Sequence, residues 1–180
     1  MKNQIKELRI QIDALHQLTL LLMPVTKEVH YKFSNSQEIE DAAHSLIYAK
    51  AWLGKCMAEL GDKTPYANDG KRKSVEDIEL PTDVATGGRD TFTQVIDWDS
   101  TNHVERVDWI RTEIQAIFDK LENIEGEVDE SVNTKPNSKL ERYTNISLQY
   151  LAEARFALGF ELGRVKASLL STPPQLVQVD

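Results

Sequence analysis

An apolar pattern that occurs twice along the chain constrains the fold more than any other feature. Ile5, Leu8, Ile12, Leu15 and Leu22 are spaced 3, 4, 3 and 7 residues apart. That spacing lines one face of a helix packed lengthwise against a neighbour. Pro24 stops this helix because it lacks the N–H the next turn needs. After a polar loop, Ser34-Asn35-Ser36-Gln37 reads as a capping box. Ile39, Ala42, Leu46, Leu53, Met57 and Leu60 then line a second helix that ends at Gly61.

The order then returns. Asn102 and Glu105 are placed to cap a third helix whose seam is Val107, Ile110, Ile114, Ile117, Leu121 and Ile124. A fourth begins near Ser138, with Glu141 as its capping partner. It carries Leu151, Ala154, Leu158, Leu162, Val165 and Leu169 and ends before Pro173-Pro174. Ile5, Leu8, Arg9, Ile12 and Leu15 map onto Val107, Ile110, Arg111, Ile114 and Ile117 at one offset of 102 residues. Leu46, Ala49, Lys50, Leu53 and Gly54 map onto Leu151, Ala154, Arg155, Leu158 and Gly159 at an offset of 105. Shared apolar spacing alone is weak support for duplication. The shared Ala-(Lys/Arg)-x-x-Leu-Gly is stronger, because Gly inside a helix costs about 1 kcal/mol against Ala. A glycine kept at the same point twice is expected to serve close contact with another backbone.

The chain therefore reads as all-α: two tandem antiparallel helical hairpins forming a four-helix unit, joined by a long irregular connector. The boundaries are a first hairpin over 1–61, a connector or flap over 62–99, a second hairpin over 100–170 and a C-terminal tail over 171–180. The connector is rich in Gly, Pro, Thr and Asp, as in Thr64-Pro65-Tyr66 and Thr86-Gly87-Gly88. A connector of that length is expected to pack over something or to act.

Composition sets limits on function. With 41% hydrophobic residues in 180, the chain can bury a core. A net charge of −8 argues against general DNA or RNA binding, which needs a surplus of cations, but leaves room for a local basic pocket. The single cysteine, Cys56, permits no internal disulfide and no thiolate zinc site. No run is apolar enough to span a bilayer and no signal-peptide pattern opens the chain, so the expected compartment is a reducing cytoplasm.

Catalytic signals are poor. His16, His30, His44 and His103 share no metal-ligand spacing, and no nucleophile elbow, phosphate loop or zinc-helix motif is present. No catalytic residue, metal or cofactor is expected. Cations are better placed. Arg9 and Arg111 occupy equivalent positions, as do Lys50 and Arg155; Arg164 lies near the end of the fourth helix, and Lys71-Arg72-Lys73 follow Gly70. Trp52 and Tyr150 are near these in sequence. Arginine or lysine beside aromatic planes suits a phosphate-and-base ligand. The bland reading is that the cations decorate solvent faces and Trp52 packs in the core. A second pair of readings concerns Ala49, Gly54 and Ala58, with Ala154, Gly159 and Gly163: internal bundle packing, or a homo-oligomer interface that also takes exposed apolar residues such as Phe156 and Phe160.

The stretch Leu46 to Lys55, followed by Glu59-Leu60-Gly61, Thr64-Pro65-Tyr66 and Val75 to Asp83, resembles small phage proteins of the anti-CBASS/anti-Thoeris helical-hairpin sponge family. Leu151 to Gly159, preceded by Trp109-Ile110-Arg111, resembles the same hairpin. The resemblance implies a viral protein in an infected bacterial cytoplasm that oligomerises and holds cyclic oligonucleotide or cyclic ADP-ribose signals without cleaving them. Three chains would supply six hairpins. It also implies a phosphate contact from an arginine at the end of the second hairpin helix, which falls on Arg164; the first-copy equivalent is Glu59. The family's Tyr and Lys for cyclic dinucleotides align with Ile5 and Asp13, and with Val107 and Gln115. The resulting candidates are Arg164 first, then Arg155 and Lys50, then Arg111 and Arg9. Trp52 and Tyr150 would stack on bases, and Lys71, Arg72 and Lys73 would form a flap.

Overall fold

The computed structural model describes residues 1–23, 37–66, 100–131 and 139–171. Among them are four helices and no strand: α1 (Lys2–Leu21), α2 (Gln37–Glu59), α3 (His103–Ser131) and α4 (Lys139–Ser171).

Each helix ends where its local chemistry requires. At the start of α3 the Glu105 N–H donates to Asn102 Oδ1 at 3.0 Å, and the Asn102 N–H donates to Glu105 Oε2 at 2.9 Å. This is the reciprocal capping box that satisfies two otherwise orphaned donors. At the end of α2, Gly61 takes a φ of 78°. Its N–H donates to the Ala58 carbonyl at 3.0 Å, and the Asp62 N–H donates to the Met57 carbonyl at 2.9 Å. That pairing closes the helix in a left-handed turn that glycine adopts without a Cβ clash. The turn sends the chain back along α2, which is how Thr64-Pro65-Tyr66 comes to cover it. The capping serines Ser34 and Ser138 and the cluster Lys71-Arg72-Lys73 lie outside the described residues.

The four seams form one core. Ile12, Leu15, Leu46, Leu53, Val107, Ile110, Ile114, Leu121, Leu151 and Leu158 are all fully buried. α1 packs on α2 and α3 on α4, giving the two hairpins; these join chiefly through α2 against α4, with α1 against α3. Tyr48 meets Tyr150 with ring centroids 5.3 Å apart, Trp52 meets Tyr143 at 5.4 Å, and Glu59 pairs with Lys139 at 3.5 Å. Partner numbers fall along α4 as they rise along α2, so the two equivalent helices run antiparallel. An approximate two-fold relation between similar hairpins produces that arrangement. Buried Thr144 and Ser147 on α4 donate their hydroxyls to the carbonyls four residues back, each at 2.9 Å, which satisfies polar groups inside the α2–α4 seam.

Two expectations are corrected. Leu169 is 60% exposed, so the fourth seam ends at Val165. The glycines do not seat a neighbouring backbone. A Cβ on Gly54 would collide with the Tyr66 ring, and one on Gly159 would meet Arg111 Nη2 at 3.4 Å. Both glycines make room for a side chain.

Candidate functional site

The equivalent arginines make the same bond in the two hairpins. Arg9 Nε donates to the Lys50 carbonyl at 3.1 Å, and Arg111 Nε donates to the Arg155 carbonyl at 3.4 Å. Each side chain crosses from the first helix of its hairpin to the second, and Arg111 ends on Gly159. A repeated long-range hydrogen bond is more specific than a repeated apolar period, and it supports a duplicated hairpin.

The two copies then diverge. In the first, Arg9 is buried at 7% exposure. It donates to the Pro65 carbonyl and, at 3.6 Å, to Met57 Sδ; its guanidinium carbon stands 5.6 Å from the centroid of the Tyr66 ring. Tyr66 lies against Gly54 and donates its hydroxyl to the Ala51 carbonyl at 3.4 Å. Beside it Lys50 is paired with Asp13 at 2.8 Å. Arg9 and Lys50 therefore act in the structure as internal ties.

In the second copy no described residue takes the place of Tyr66. Arg111 rests on Gly159, held by a 3.5 Å contact to Asp108, which is itself 61% exposed. Such an exposed i,i+3 pair contributes a few tenths of a kcal/mol. Arg155 is exposed. Phe156, Gly159, Phe160 and Gly163 stand at helical i, i+3, i+4 and i+7, so they share one face. Phe156 is 68% and Phe160 58% exposed, and their rings meet edge to face at 4.7 Å. Among the described residues the result is a cradle that only Arg111 covers, with a glycine floor, an aromatic wall and two arginines.

Arg164 follows Phe160 by one turn on the same side of α4 and is engaged. Its Nε and Nη2 donate to Glu161 Oε2 at 3.1 and 2.5 Å. Glu161 is fully buried, and its other oxygen lies 2.9 Å from His103 Nε2. A carboxylate only accepts, so the histidine donates there. A phosphate drawn to Arg164 must compete with Glu161. Trp52 and Tyr150 sit in the α2–α4 seam; Trp52 carries Lys55 Nζ 3.4 Å from its ring centroid as well as Tyr143. Sequence reasoning missed Phe156 and Phe160 as site residues. Their signal was the face they share with the repeated glycine.

A separate cleft of about 280 Å³ opens between α1 and α3, lined by Gln4, Glu7, Gln11, Lys120 and Asn123 among others, and it touches none of the candidate residues. No group of three or more His, Cys, Asp or Glu among the described residues could hold a metal ion. No helix among them is long and apolar enough to cross a membrane. The chain matches no protein-family model, no curated protein and no solved structure.

Proposed function

We propose that this protein is a non-catalytic trap that binds and sequesters a cyclic nucleotide-type immune signal in the cytoplasm of a phage-infected bacterium. One observation carries the reading. The second hairpin presents Arg111 and Arg155 beside an exposed aromatic pair around Gly159, while its counterpart in the first hairpin is closed by the chain itself. Two cations next to an apolar ring surface suit a phosphate-bearing planar ligand: charged hydrogen bonds hold the phosphate and the ring covers apolar surface. Sequestration needs a preformed site and no bond cleavage. The exposed Phe156 and Phe160 also favour homo-oligomer formation, with three chains as the first arrangement to consider.

Calorimetry against cyclic di- and trinucleotides and cyclic ADP-ribose isomers, paired with native mass spectrometry, tests the proposal. Tight binding, with the ligand recovered unaltered after heat denaturation of the complex, supports it. Altered product returns the protein to the hydrolases. Indifference to every ligand, in a protein that co-purifies with an immune effector, replaces the trap by a direct inhibitor.

A further inference from the structure

The first hairpin contains a worked example of what the second can bind. Tyr66 places a planar ring against Gly54, puts a hydroxyl donor on the Ala51 carbonyl, and sets the adjoining Pro65 carbonyl on the Arg9 guanidinium. The same parts recur in the second hairpin, 102 residues on in its first helix and 105 on in its second. Gly159 stands for Gly54, the Phe156 carbonyl for that of Ala51, and Arg111 for Arg9. Arg111 keeps the same tie to its neighbouring helix. Two differences decide the ligand. Arg155 is exposed, whereas its counterpart Lys50 is neutralised by Asp13. Phe156 and Phe160 replace Ala51 and Lys55, so the rim is aromatic. Among the described residues, the carboxylate paired with Arg111 is Asp108, at 3.5 Å. A neutral peptide carbonyl, as in the first hairpin, would leave that positive charge unmet.

We propose that the Gly159 cradle binds a purine nucleotide: the flexible end of Arg111, which rests on Gly159 in the free protein, swings onto the phosphate together with Arg155, the ring takes its place against Gly159 beside Phe156, and an N–H on the ring's edge donates to the Phe156 carbonyl. Tyr66 is the built-in stand-in that closes the equivalent site of the first hairpin, so each chain has one such site, not two. This deepens the trap reading and rests on it for the nature of the ligand.

The probe is adenosine 5′-monophosphate, followed by nuclear magnetic resonance at the Gly159 amide and the Arg111 Nε–H. Millimolar probe moves both signals in the parent. Gly159→Ala keeps the helix, since its Cβ meets only the flexible end of Arg111, but fills the ring's seat and weakens binding about tenfold or more. Tyr66→Ala opens the first cradle, and Gly54 and Arg9 signals then respond as well. Ribose 5-phosphate, which has no ring, binds more weakly than the nucleotide. The proposal is overturned if the Gly159 and Arg111 signals ignore the probe, if Gly159→Ala binds like the parent, or if a Thr-Pro-Tyr peptide occupies the cradle and the nucleotide does not. The two readings fail separately. Nucleotide seated on Gly159 with every cyclic signal refused sinks the trap and keeps the ring site. Cyclic signals bound equally by the parent and Gly159→Ala keep the trap and sink the ring site.

Discussion

Gly54 and Gly159 hold equivalent places in equivalent helices, yet adding one methyl group should have opposite effects at the two. Helix propensity alone favours Ala over Gly by about 1 kcal/mol at either position. At Gly159 the new Cβ lies 3.4 Å from Arg111 Nη2, an ordinary contact with a flexible terminus, so Gly159→Ala should be stabilising by up to about 1 kcal/mol. At Gly54 the Cβ overlaps the Tyr66 ring, lying 2.9 Å from Cζ as well as closer to Cε1. The ring must leave. Tyr66 is 44% exposed, so about half of an aromatic side chain's roughly 200 Å² is at stake. At about 25 cal/mol per Å², roughly 100 Å² corresponds to about 2.5 kcal/mol. Net of propensity, Gly54→Ala should cost about 1–2 kcal/mol. The two variants should therefore differ by about 2–3 kcal/mol, or roughly 5–10 °C in Tm for a chain of this size. Urea and thermal denaturation of the two variants, each also made in a Tyr66→Ala background, measure it. In that background the gap should shrink to under about 1 kcal/mol, because the clashing ring is gone. If Gly54→Ala proves as stable as Gly159→Ala with Tyr66 present, the ring does not sit on Gly54, and the comparison between the two cradles collapses.

The arginines should behave as unequally as the glycines. Arg9→Ala strands the Pro65 segment and should cost about 2–4 kcal/mol in urea unfolding, whereas Arg111→Ala should stay within about 1 kcal/mol. Glu161→Ala removes a fully buried carboxylate from between the part-exposed His103 and Arg164 and should cost about 1–3 kcal/mol, with Glu161→Gln milder; a cost under about 0.5 kcal/mol would contradict the pairing seen. Asn102→Ala removes half of the capping box of α3 and should cost about 1 kcal/mol. Burial pushes the Cys56 thiol from its ordinary 9.0 up to about 11, against a smaller lowering by the Thr144 hydroxyl. The folded state thus holds the neutral thiol more tightly than the unfolded chain does. The stability this contributes is fully present below pH 9 and is lost as pH rises toward 11, by roughly 2–3 kcal/mol. Comparing unfolding of the parent with Cys56→Ala across that window isolates it, and equal slopes would rule out the shift.

By itself the sequence determined the four helices, their seams up to Val165, and the ends at Asn102 and Gly61. Burial of Ile12, Leu46, Ile114 and Leu158 follows from a period of 3.6 residues, and the caps at Asn102 and Gly61 follow from neighbours within a few positions. Both are local, so they can be read along the chain. The duplication was legible too, because the spacing and the Ala-(Lys/Arg)-x-x-Leu-Gly motif recur at constant offsets. Only the tertiary structure decided what each charge does. Arg9 and Arg111 look alike in sequence, but one is buried under Tyr66, which lies 57 positions away, and the other stays open. Arg164 stands three residues after Glu161, yet only the folding of His103 against that buried carboxylate shows Arg164 to be part of a three-residue cluster. Leu169 obeys the seam's period, yet it is exposed. Apolar burial depends on a pattern that any neighbour can satisfy, whereas a charged group's role depends on which partner reaches it, and that partner comes from a distant part of the chain.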